Sequence, residues 1–201
     1  MRLVYVDDVI NEIISSLENG IIGIKRAEVN PEYLIILGDL AKQIALFKES
    51  RKTLVSESVG VGLVRALYST YISYLPVENF SYELPIYGDD RGEFVEMLKT
   101  KDSGQFSYFT THPGMMRGGH YHHTKSEKFL VIRGQALFRF RNVISGERYK
   151  IVVEGGTPRV VETIPGWTHD ITNIGKDELV VMLWANEIFD RSNPDTIADK
   201  V

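Results

Sequence analysis

Three histidines and one glutamate lie close together between Arg117 and Gly134, and their spacing restricts the possible folds strongly. His120 and His122 are separated by one residue, and Glu127 follows after four more. Because alternate residues of a β-strand point to the same face, His120 and His122 can project together into one cavity. A hairpin return would then bring Glu127 onto the same wall. The pattern predicts three side chains that converge on one point.

A second signal lies further along the chain, where Pro165 and Gly166 form a turn before a predicted strand that begins near His169. His169 would add a third imidazole to His120, His122 and the carboxylate of Glu127. Three nitrogen donors and one oxygen donor suit zinc, iron, manganese or nickel, and they leave coordination positions open for a substrate. The sequence therefore predicts a divalent transition-metal site with these four ligands.

The second part of the chain carries many short β-rich runs separated by turn signals. Such runs at this spacing predict an all-β barrel or a double-sheet jelly roll, whose interior is a natural ligand cavity. The predicted strands cover residues 80–85, 94–99, 105–110, 128–132, 135–142, 147–153, 160–164, 169–173 and 178–186.

The first 72 residues show helical rather than strand periodicity. A short strand at residues 3–6 precedes Asp7 and Asp8, which we expect to cap a helix that ends at Asn19 and Gly20. Two further helical patterns span residues 37–47 and 59–71. The predicted organisation is an α-rich segment, residues 1–72, followed by a β domain, residues 73–201.

Composition restricts the partners of the chain. The formal net charge is −4 at pH 7, so there is no electrostatic reason to expect a nucleic acid. The absence of cysteine removes thiolate catalysis and disulfides. No apolar run approaches the length of a membrane span, and the N-terminus lacks a signal-peptide pattern. We expect a cytoplasmic protein without a membrane partner.

The two histidine motifs together resemble the cupin signature, G-x5-H-x-H-x4-E-x6-G followed by P-x-G-x2-H-x3-N. The match covers Gly114, His120, His122, Glu127, Gly134, Gly166, His169 and Asn173. It departs at Ile164, which stands where the second part has proline, and this removes no ligand. The resemblance implies a mainly β cupin fold, preceded here by the small α-rich segment.

The opening of the chain, residues 4–13, is similar to the late part of extended short-chain dehydrogenase/reductases. No glycine-rich strand-turn-helix precedes it, and Gly60-Val-Gly62 lacks the third glycine of a dinucleotide site. The Tyr-x3-Lys pair of that superfamily occurs only as Tyr121 and Lys125, inside the metal motif, where we interpret it as a coincidence. We expect no NADP on this chain alone.

A more specific resemblance runs from about residue 4 to Thr196. Leu67–Pro76, Asp90–Glu96, Gly104–Ser107 and Gly119–Phe129 resemble the bifunctional capsular-polysaccharide enzymes of the CapF family, over roughly the latter half of their length. The resemblance implies a cupin that epimerises C3 of a UDP-linked 2-acetamido-2,6-dideoxy-4-ketohexose with bound zinc. A reductase domain then reduces the C4 ketone with NADPH, towards UDP-N-acetyl-L-fucosamine. Zinc, or another divalent transition metal, is therefore the expected cofactor.

Metal-free dTDP-4-keto-6-deoxyhexose 3,5-epimerases show a related pattern around Arg91 and Arg117. Their arginines at these places bind the nucleotide diphosphate, and a guanidinium can grip phosphate through two hydrogen bonds. We therefore predict that Arg91 and Arg117 bind the pyrophosphate, with a surface ion pair as the alternative for Arg91. The base of those epimerases matches His120, but glutamine and lysine replace His122 and Glu127, so their mechanism does not transfer directly.

The predicted reaction needs groups that move protons. A metal at the C4 ketone would acidify the C3 hydrogen, and His120, His123, Tyr121 and Lys128 are the candidate catalytic residues. Strand alternation points Tyr121, His123 and Lys128 away from the ligands, which favours structural roles for them. His112 is a weaker candidate at the cavity mouth, and Trp167 and Trp184 are expected to pack the barrel or to stack on the ligand.

Two other classes of function fit the same residues. A non-catalytic cupin could bind a sugar nucleotide, or form a dimer that supports a reductase on a separate chain. A metal-dependent dioxygenase or isomerase is the third candidate. Cupins often pair through barrel edges, so the resemblance also implies a homodimer.

Overall fold

The computed structural model of the protein describes residues 1–20, 22–24 and 26–201, and the helices among them lie before residue 80, whereas most of the strands follow. The helices among these residues are α1 (Val6–Glu18), α2 (Leu37–Thr53) and α3 (Gly62–Ser73), with a 3-10 turn at Val77–Asn79. The strands are β1 (Arg2–Val4), β2 (Glu32–Leu34), β3 (Val55–Ser56), β4 (Ile86–Asp89), β5 (Gly92–Thr100), β6 (Gln105–Thr111), β7 (Met116–Tyr121), β8 (Glu127–Arg133), β9 (Gln135–Asn142), β10 (Arg148–Glu154), β11 (Val160–Glu162), β12 (Trp167–Asn173), β13 (Leu179–Ala185) and β14 (Ile197–Ala198).

The described residues form two compact units. The first comprises residues 1–53 and 57–80, and the second comprises residues 54–56 and 81–201. The predicted fold class, a mainly β cupin preceded by a small α-rich segment, is confirmed. The division predicted between residues 72 and 73, into an α-rich remnant and a cupin domain, stays a prediction.

The first unit holds the three predicted helices and one short antiparallel pair, β1 with β2. Phe47 of α2 is buried and packs its ring against Tyr68 and Tyr71 of α3, with ring centroids 5.2 and 5.9 Å away. The predicted capping by Asp7 and Asp8 is wrong, because both lie inside the first turn of α1. Their carboxylates there still interact favourably with the positive end of the helix dipole.

The second unit consists of two β-sheets that share one apolar core. One sheet has the strand order β10-β9-β12-β7-β14, and the other has the order β11-β8-β13-β6-β5-β3, with β4 on β5. Alternation along each strand directs every second side chain inward. Phe129 of the second sheet therefore meets Phe138 of the first, with ring centroids 5.7 Å apart. The site described below lies within this unit.

Most predicted strands of the second unit are confirmed, but the one at residues 80–85 is wrong. That run has no strand, and it ends at Pro85, which has no N–H to donate to a sheet. The sequence also left out β3, β4 and β14 of this unit, which are short. The two-residue β14 pairs with β7 through Ile197 opposite Tyr121 and Ala198 opposite His120.

The predicted hairpin between His122 and Glu127 is wrong as well. β7 pairs with β12 and β14, whereas β8 pairs with β13 and β11 in the other sheet. The connection from His122 to Ser126 therefore crosses from one sheet to the other. Glu127 approaches the histidines from the facing wall and not from the same wall.

None of the helices formed by residues 1–20, 22–24 and 26–201 is both long enough and apolar enough to cross a bilayer.

The strand-rich unit provides a matched pair of glycines for a stability test. Gly104 and Gly146 share left-handed φ values of +73° and +72°, but a Cβ at Gly104 would lie 1.7 Å from the carbonyl oxygen of Ala185. A Cβ at Gly146 meets nothing within 4 Å. Gly146→Ala should cost about 1–2 kcal/mol for the left-handed backbone. Gly104→Ala should cost about 1–3 kcal/mol more, because β13 must shift.

Denaturant unfolding followed by tryptophan fluorescence measures this difference, because Trp167 and Trp184 are the only tryptophans of the chain and both lie in this unit. Equal midpoints for Gly104→Ala and Gly146→Ala would contradict the close contact with Ala185.

Candidate metal centre

The four predicted ligands converge in the structure. One ligand atom from each of His120, His122, Glu127 and His169 lies within 4.8 Å of all the others. His122, Glu127 and His169 are buried, and His120 is partly buried. The sequence therefore predicted a set of side chains that the fold does bring together, and its role in metal binding stays a proposal.

Two neighbouring strands hold His120 and His169 side by side. His120 of β7 and His169 of β12 are register partners, and their ring centroids are 4.7 Å apart. The pairing register shifts immediately after His169, where Gly118 lies against the backbone. A Cβ at Gly118 would stand 2.8 Å from the His169 carbonyl oxygen, so glycine permits this close approach.

Glu127 reaches the cluster from the facing sheet. Its Oε2 lies 3.3 Å from Nε2 of His122 and 3.3 Å from Nε2 of His169. Its other oxygen, Oε1, lies 3.2 Å from the ammonium of Lys125, which is also buried. One carboxylate thus bridges the imidazoles and a lysine.

Two of the distances between donor atoms suit ligands of one metal ion. Nitrogen and oxygen ligands held about 2.0–2.1 Å from zinc are about 3.3 Å apart when the angle between them is near tetrahedral. Glu127 shows this separation from both His122 and His169. Three imidazoles with one carboxylate also form a donor set that divalent transition metals accept. The residues present therefore fit such an ion.

The protonation states of His120 and Glu127 favour a bound cation. Burial, together with the nearby His169, lowers the pKa of His120 to about 4, so its ring is neutral at pH 7. Burial acts to raise the pKa of Glu127, but hydrogen bonds from His122 and His169 and the charge of Lys125 hold it well below its usual range. A neutral imidazole and an ionised carboxylate are the forms that bind metals.

His120, Glu127 and His169 of the cluster line a cavity of about 420 Å³ between the sheets. This volume lies within the roughly 300–1,000 Å³ range of small-molecule sites. Its walls combine aromatic side chains with a few charged ones. The lining includes Phe94, Phe109, Phe129, Phe138, Leu183 and Phe189, with Arg91, Glu96, Arg117, Lys125 and Asp170 as the charged residues outside the cluster.

Both predicted phosphate-binding arginines line this cavity. The Arg117 side chain is largely buried, and its Nε donates to the Thr110 carbonyl at 3.1 Å and to the Thr111 hydroxyl at 3.2 Å. Burial lowers the pKa of the Arg117 guanidinium below its ordinary value. Arg91 is more exposed and grips both carboxylate oxygens of Asp89.

Asp89 forms ion pairs with both arginines. Its Oδ1 lies 3.9 Å from the Arg117 guanidinium, and the hydrogen bonds from Arg91 lower its pKa to about 2. The ion pair that we considered for Arg91 is therefore present, and Arg91 lines the cavity as well. Two guanidiniums against one carboxylate leave a net positive charge at this part of the wall.

The structure does not place Tyr121, His123 or Lys128 among the residues that line this cavity. Tyr121 and His123 stack edge-to-face with ring centroids 5.5 Å apart, and Lys128 pairs with Glu162 at 2.7 Å. Alternation explains the positions of Tyr121 and Lys128, because residues next to a ligand on a strand point to the opposite face, whereas His123 lies in the connection after β7. Their predicted role as proton carriers at this cavity is not supported by these positions.

The remaining candidates also lie outside the cavity lining. Trp167 packs against the apolar core, as expected, whereas Trp184 donates its indole N–H to the Ser103 carbonyl at 3.0 Å. His112 lies 3.8 Å from Glu178 at the surface.

Sequence reasoning named Lys125 only as part of a coincidental Tyr-x3-Lys pair, and it overlooked Asp195. Lys125 stands in the connection between β7 and β8, and its ammonium lies at Glu127. Asp195 is about 70 residues away in sequence, but its carboxylate accepts backbone hydrogen bonds from residues 123–125. No periodic pattern marks a residue in a connection, so only the spacing of Lys125 from Glu127 offered a signal.

Comparison with known proteins identifies related chains. Residues 87–197 match the family model described as the polysaccharide biosynthesis C-terminal domain. A Pseudomonas aeruginosa protein named UDP-2-acetamido-2,6-beta-L-arabino-hexul-4-ose reductase is 57% identical over 201 residues, which is all of this chain and 54% of that protein.

Solved structures of CapF agree with this match. The capsular polysaccharide assembling protein CapF from Staphylococcus aureus is 39% identical, with a TM-score of 0.91 over all of this chain and 55% of its own. CapF with the inhibitor 3-isopropenyl-tropolone is also 39% identical, with a TM-score of 0.92 over 58% of its chain. The predicted resemblance to the CapF family is confirmed, and the chain spans about half the length of these relatives.

Removing one ligand tests the metal centre. We expect near-stoichiometric divalent metal in the purified parent and loss of most of it in His169→Ala, because His169 supplies one of the four donors. His123→Ala is the matched control, since His123 lies in the adjacent connection and outside the cluster. Elemental analysis of the three purified proteins gives the result. Equal metal content in all three would contradict the site.

Proposed function

We propose that this chain, which belongs to the family of polysaccharide biosynthesis C-terminal domains, epimerises a UDP-linked 4-ketohexose at the carbon next to the ketone. The proposed substrate is a UDP-2-acetamido-2,6-dideoxy-4-ketohexose and the proposed position is C3, on the route to UDP-N-acetyl-L-fucosamine. The observation that carries this proposal is a buried metal-type donor set in the wall of a cavity that two arginines also line.

The relatives support the class of substrate. The Pseudomonas aeruginosa protein is named for a UDP-linked sugar with a ketone at C4. The name refers to a reductase, whereas the sequence of this chain lacks a glycine-rich dinucleotide motif. We therefore propose that the part shared with this chain handles the ketone and its neighbouring carbon, and that hydride transfer belongs to another part of the relatives.

The proposed cofactor is zinc or another divalent transition metal held by His120, His122, Glu127 and His169. Such an ion would draw electron density from the C4 carbonyl and so make the C3 hydrogen acidic enough to remove. The protein keeps these donors dry and oriented, because three of them are buried and Glu127 touches two of the imidazoles.

Lys125 is our candidate for moving the proton. Arginine stays protonated in proteins, so Arg91 and Arg117 do not serve. Asp170 is held by Arg139 through two hydrogen bonds of 2.8 Å. Lys125 places its nitrogen at the cluster from a buried position on the cavity wall, so it replaces Lys128 in this role.

Epimerisation at C3 requires that a proton leaves one face of the sugar ring and that a proton arrives on the opposite face. As the C3–H bond breaks, its electron pair forms a C3=C4 double bond, the π pair of the C4 carbonyl moves onto the ketone oxygen, and a base takes the proton. The oxygen pair then re-forms the carbonyl as a proton reaches C3 from the opposite side. Lys125, whose ammonium carries a proton, is our candidate acid. Glu96, a cavity carboxyl outside the metal set that pairs with Lys99 at 2.7 Å, is our candidate base.

The competing proposal is a non-catalytic cupin that binds a sugar nucleotide or supports a reductase on another chain. Incubation with the 4-keto substrate in deuterium oxide separates the two functions, because an epimerase must exchange the C3 hydrogen with solvent. The predicted homodimer, the cytoplasmic location and the absence of nucleic-acid and membrane partners stay predictions.

Exchange of the C3 hydrogen also tests Lys125. Lys125→Met keeps the length and apolar stem of the side chain but removes the ammonium, so we expect C3 exchange to fall by roughly 10²–10⁴-fold, as for loss of a general acid or base. Lys128→Met is the matched control and should exchange at the parent rate, because Lys128 faces away. Mass spectrometry of the recovered sugar nucleotide measures the label. Parent-like exchange in Lys125→Met would exclude this assignment.

Binding of UDP alone tests the arginines. Loss of a charge-assisted hydrogen bond to phosphate costs about 1.5–3 kcal/mol, so Arg117→Met should weaken UDP binding by at least about tenfold. Arg91→Met should weaken it similarly if Arg91 leaves Asp89 for the phosphates, and should have little effect if the ion pair persists. Calorimetric titration measures both, with exposed Arg133→Met as the control. Unchanged affinity in Arg117→Met would contradict the phosphate site.

A further inference from the structure

The carboxylate of Asp195 accepts hydrogen bonds from several donors of one short connection. The donors are the backbone N–H groups of His123, Thr124 and Lys125, at 2.8, 2.7 and 2.8 Å, and the Thr124 hydroxyl at 3.0 Å. A carboxylate that accepts from four donors in this way has the hydrogen-bonding pattern of the ionised, acceptor-only form. The side chain therefore holds this connection together.

The backbone of Asp195 contacts the metal cluster directly. Its carbonyl oxygen lies in hydrogen-bond contact with Nδ1 of His122. A carbonyl only accepts, so Nδ1 carries a proton, and Nε2 is the ring nitrogen that is left for a metal. That Nε2 lies 3.3 Å from Glu127, on the side where the donor atoms converge. Asp195 thus selects the tautomer of His122 that binds a metal through Nε2.

The residues that follow Asp195 fasten the two strands that bear the other histidines. Ile197 and Ala198 form β14 on the edge of β7, with Ala198 opposite His120. Asp199 accepts the Thr168 hydroxyl at 2.5 Å, next to His169, and pairs with Arg141 of β9. We name residues 195–199 the terminal clasp.

We propose that Asp195 is a positioning residue that pre-forms the metal centre through the terminal clasp. Its carboxylate holds the connection that begins with His122 and contains Lys125, and its carbonyl orients the His122 ring. This inference rests on the metal centre proposed above and adds a residue that does not itself bind the ion. Partners that orient a metal-bound histidine typically contribute 10–100-fold to metal affinity.

The Asp195 carboxylate contributes in addition to the Asp195 carbonyl, because it holds the connection between β7 and β8 in place. His122 lies beyond the end of β7, so the sheet does not hold its backbone directly. Three successive N–H groups turned towards one carboxylate form an anion-binding turn, whose shape depends on the charge at its centre. Without that charge the turn opens, and Asp195 no longer keeps its carbonyl at His122.

Zinc titration in competition with a chromophoric chelator tests the proposal on the whole chain. We expect Asp195→Ala to weaken zinc binding by about 10–100-fold. Asp195→Asn should lose less, because its amide oxygen still accepts from the turn. Asp190→Ala is the matched control and should bind zinc like the parent, because Asp190 is exposed and its carboxylate bonds to Ser192 in its own turn.

Nitrogen NMR of the histidine rings gives a second readout that needs no metal. The parent should show Nδ1 of His122 protonated, and in Asp195→Ala part of the population should lose the Nδ1 proton. Parent-like zinc affinity together with the parent tautomer in Asp195→Ala would overturn the proposal. If that variant does not fold, Asp195→Asn decides by the same two measurements. A parent that binds no zinc would refute the metal centre, and the tautomer of His122 would still decide the role of Asp195.

Discussion

The chain crosses between the two sheets of the strand-rich unit immediately before Glu127, and this crossing creates the candidate metal centre. His120 and His169 extend from one sheet, and Glu127 extends from the other to within 3.3 Å of His169. Face-to-face sheets pack about 10 Å apart, so opposing side chains meet midway. The packing of Phe129 against Phe138, which spaces the sheets, therefore also sets the distance between the donor atoms.

The cluster is a buried polar group inside an apolar core, and its members satisfy one another. Burial of a carboxylate is unfavourable unless it is paired and hydrogen-bonded. Glu127 has two imidazoles at one oxygen and the ammonium of Lys125 at the other. The same arrangement presents an ionised carboxylate and the neutral ring of His120 to an incoming cation. Stability of the cation-free fold and affinity for a metal thus draw on the same contacts.

The metal-type donors and the two arginines reach the cavity from different parts of the sheets. The donor set and Lys125 lie where β7, β12 and the start of β8 meet. The guanidinium of Arg91 comes from the turn between β4 and β5, and Arg117 comes from the start of β7. Aromatic side chains occupy the walls between them, so the low dielectric of the site strengthens each charge. A ligand with a carbonyl and a separate anionic group fits this division.

The terminal clasp makes the centre depend on residues far away in the chain. Asp195 holds the connection that bears His122, and Asp199 reaches the strand that bears His169. The terminal clasp therefore holds together three segments, β7, the connection after it and β12, each of which provides one histidine of the cluster.

The sequence by itself determined the identity of the donor atoms and most of the strands, because both follow from the two-residue period of a β-strand, which is local. Arg91 and Arg117, which a resemblance indicated, both line the cavity, and their binding of phosphate stays a prediction. The tertiary structure alone decided that Glu127 faces the histidines from the opposite sheet, because strand pairing joins residues that no local pattern relates. It likewise brought the ammonium of Lys125 to Glu127, and it brought Asp195 to His122 across about 70 residues. These contacts depend on how the chain crosses and closes, and a periodicity within one strand holds no information about them.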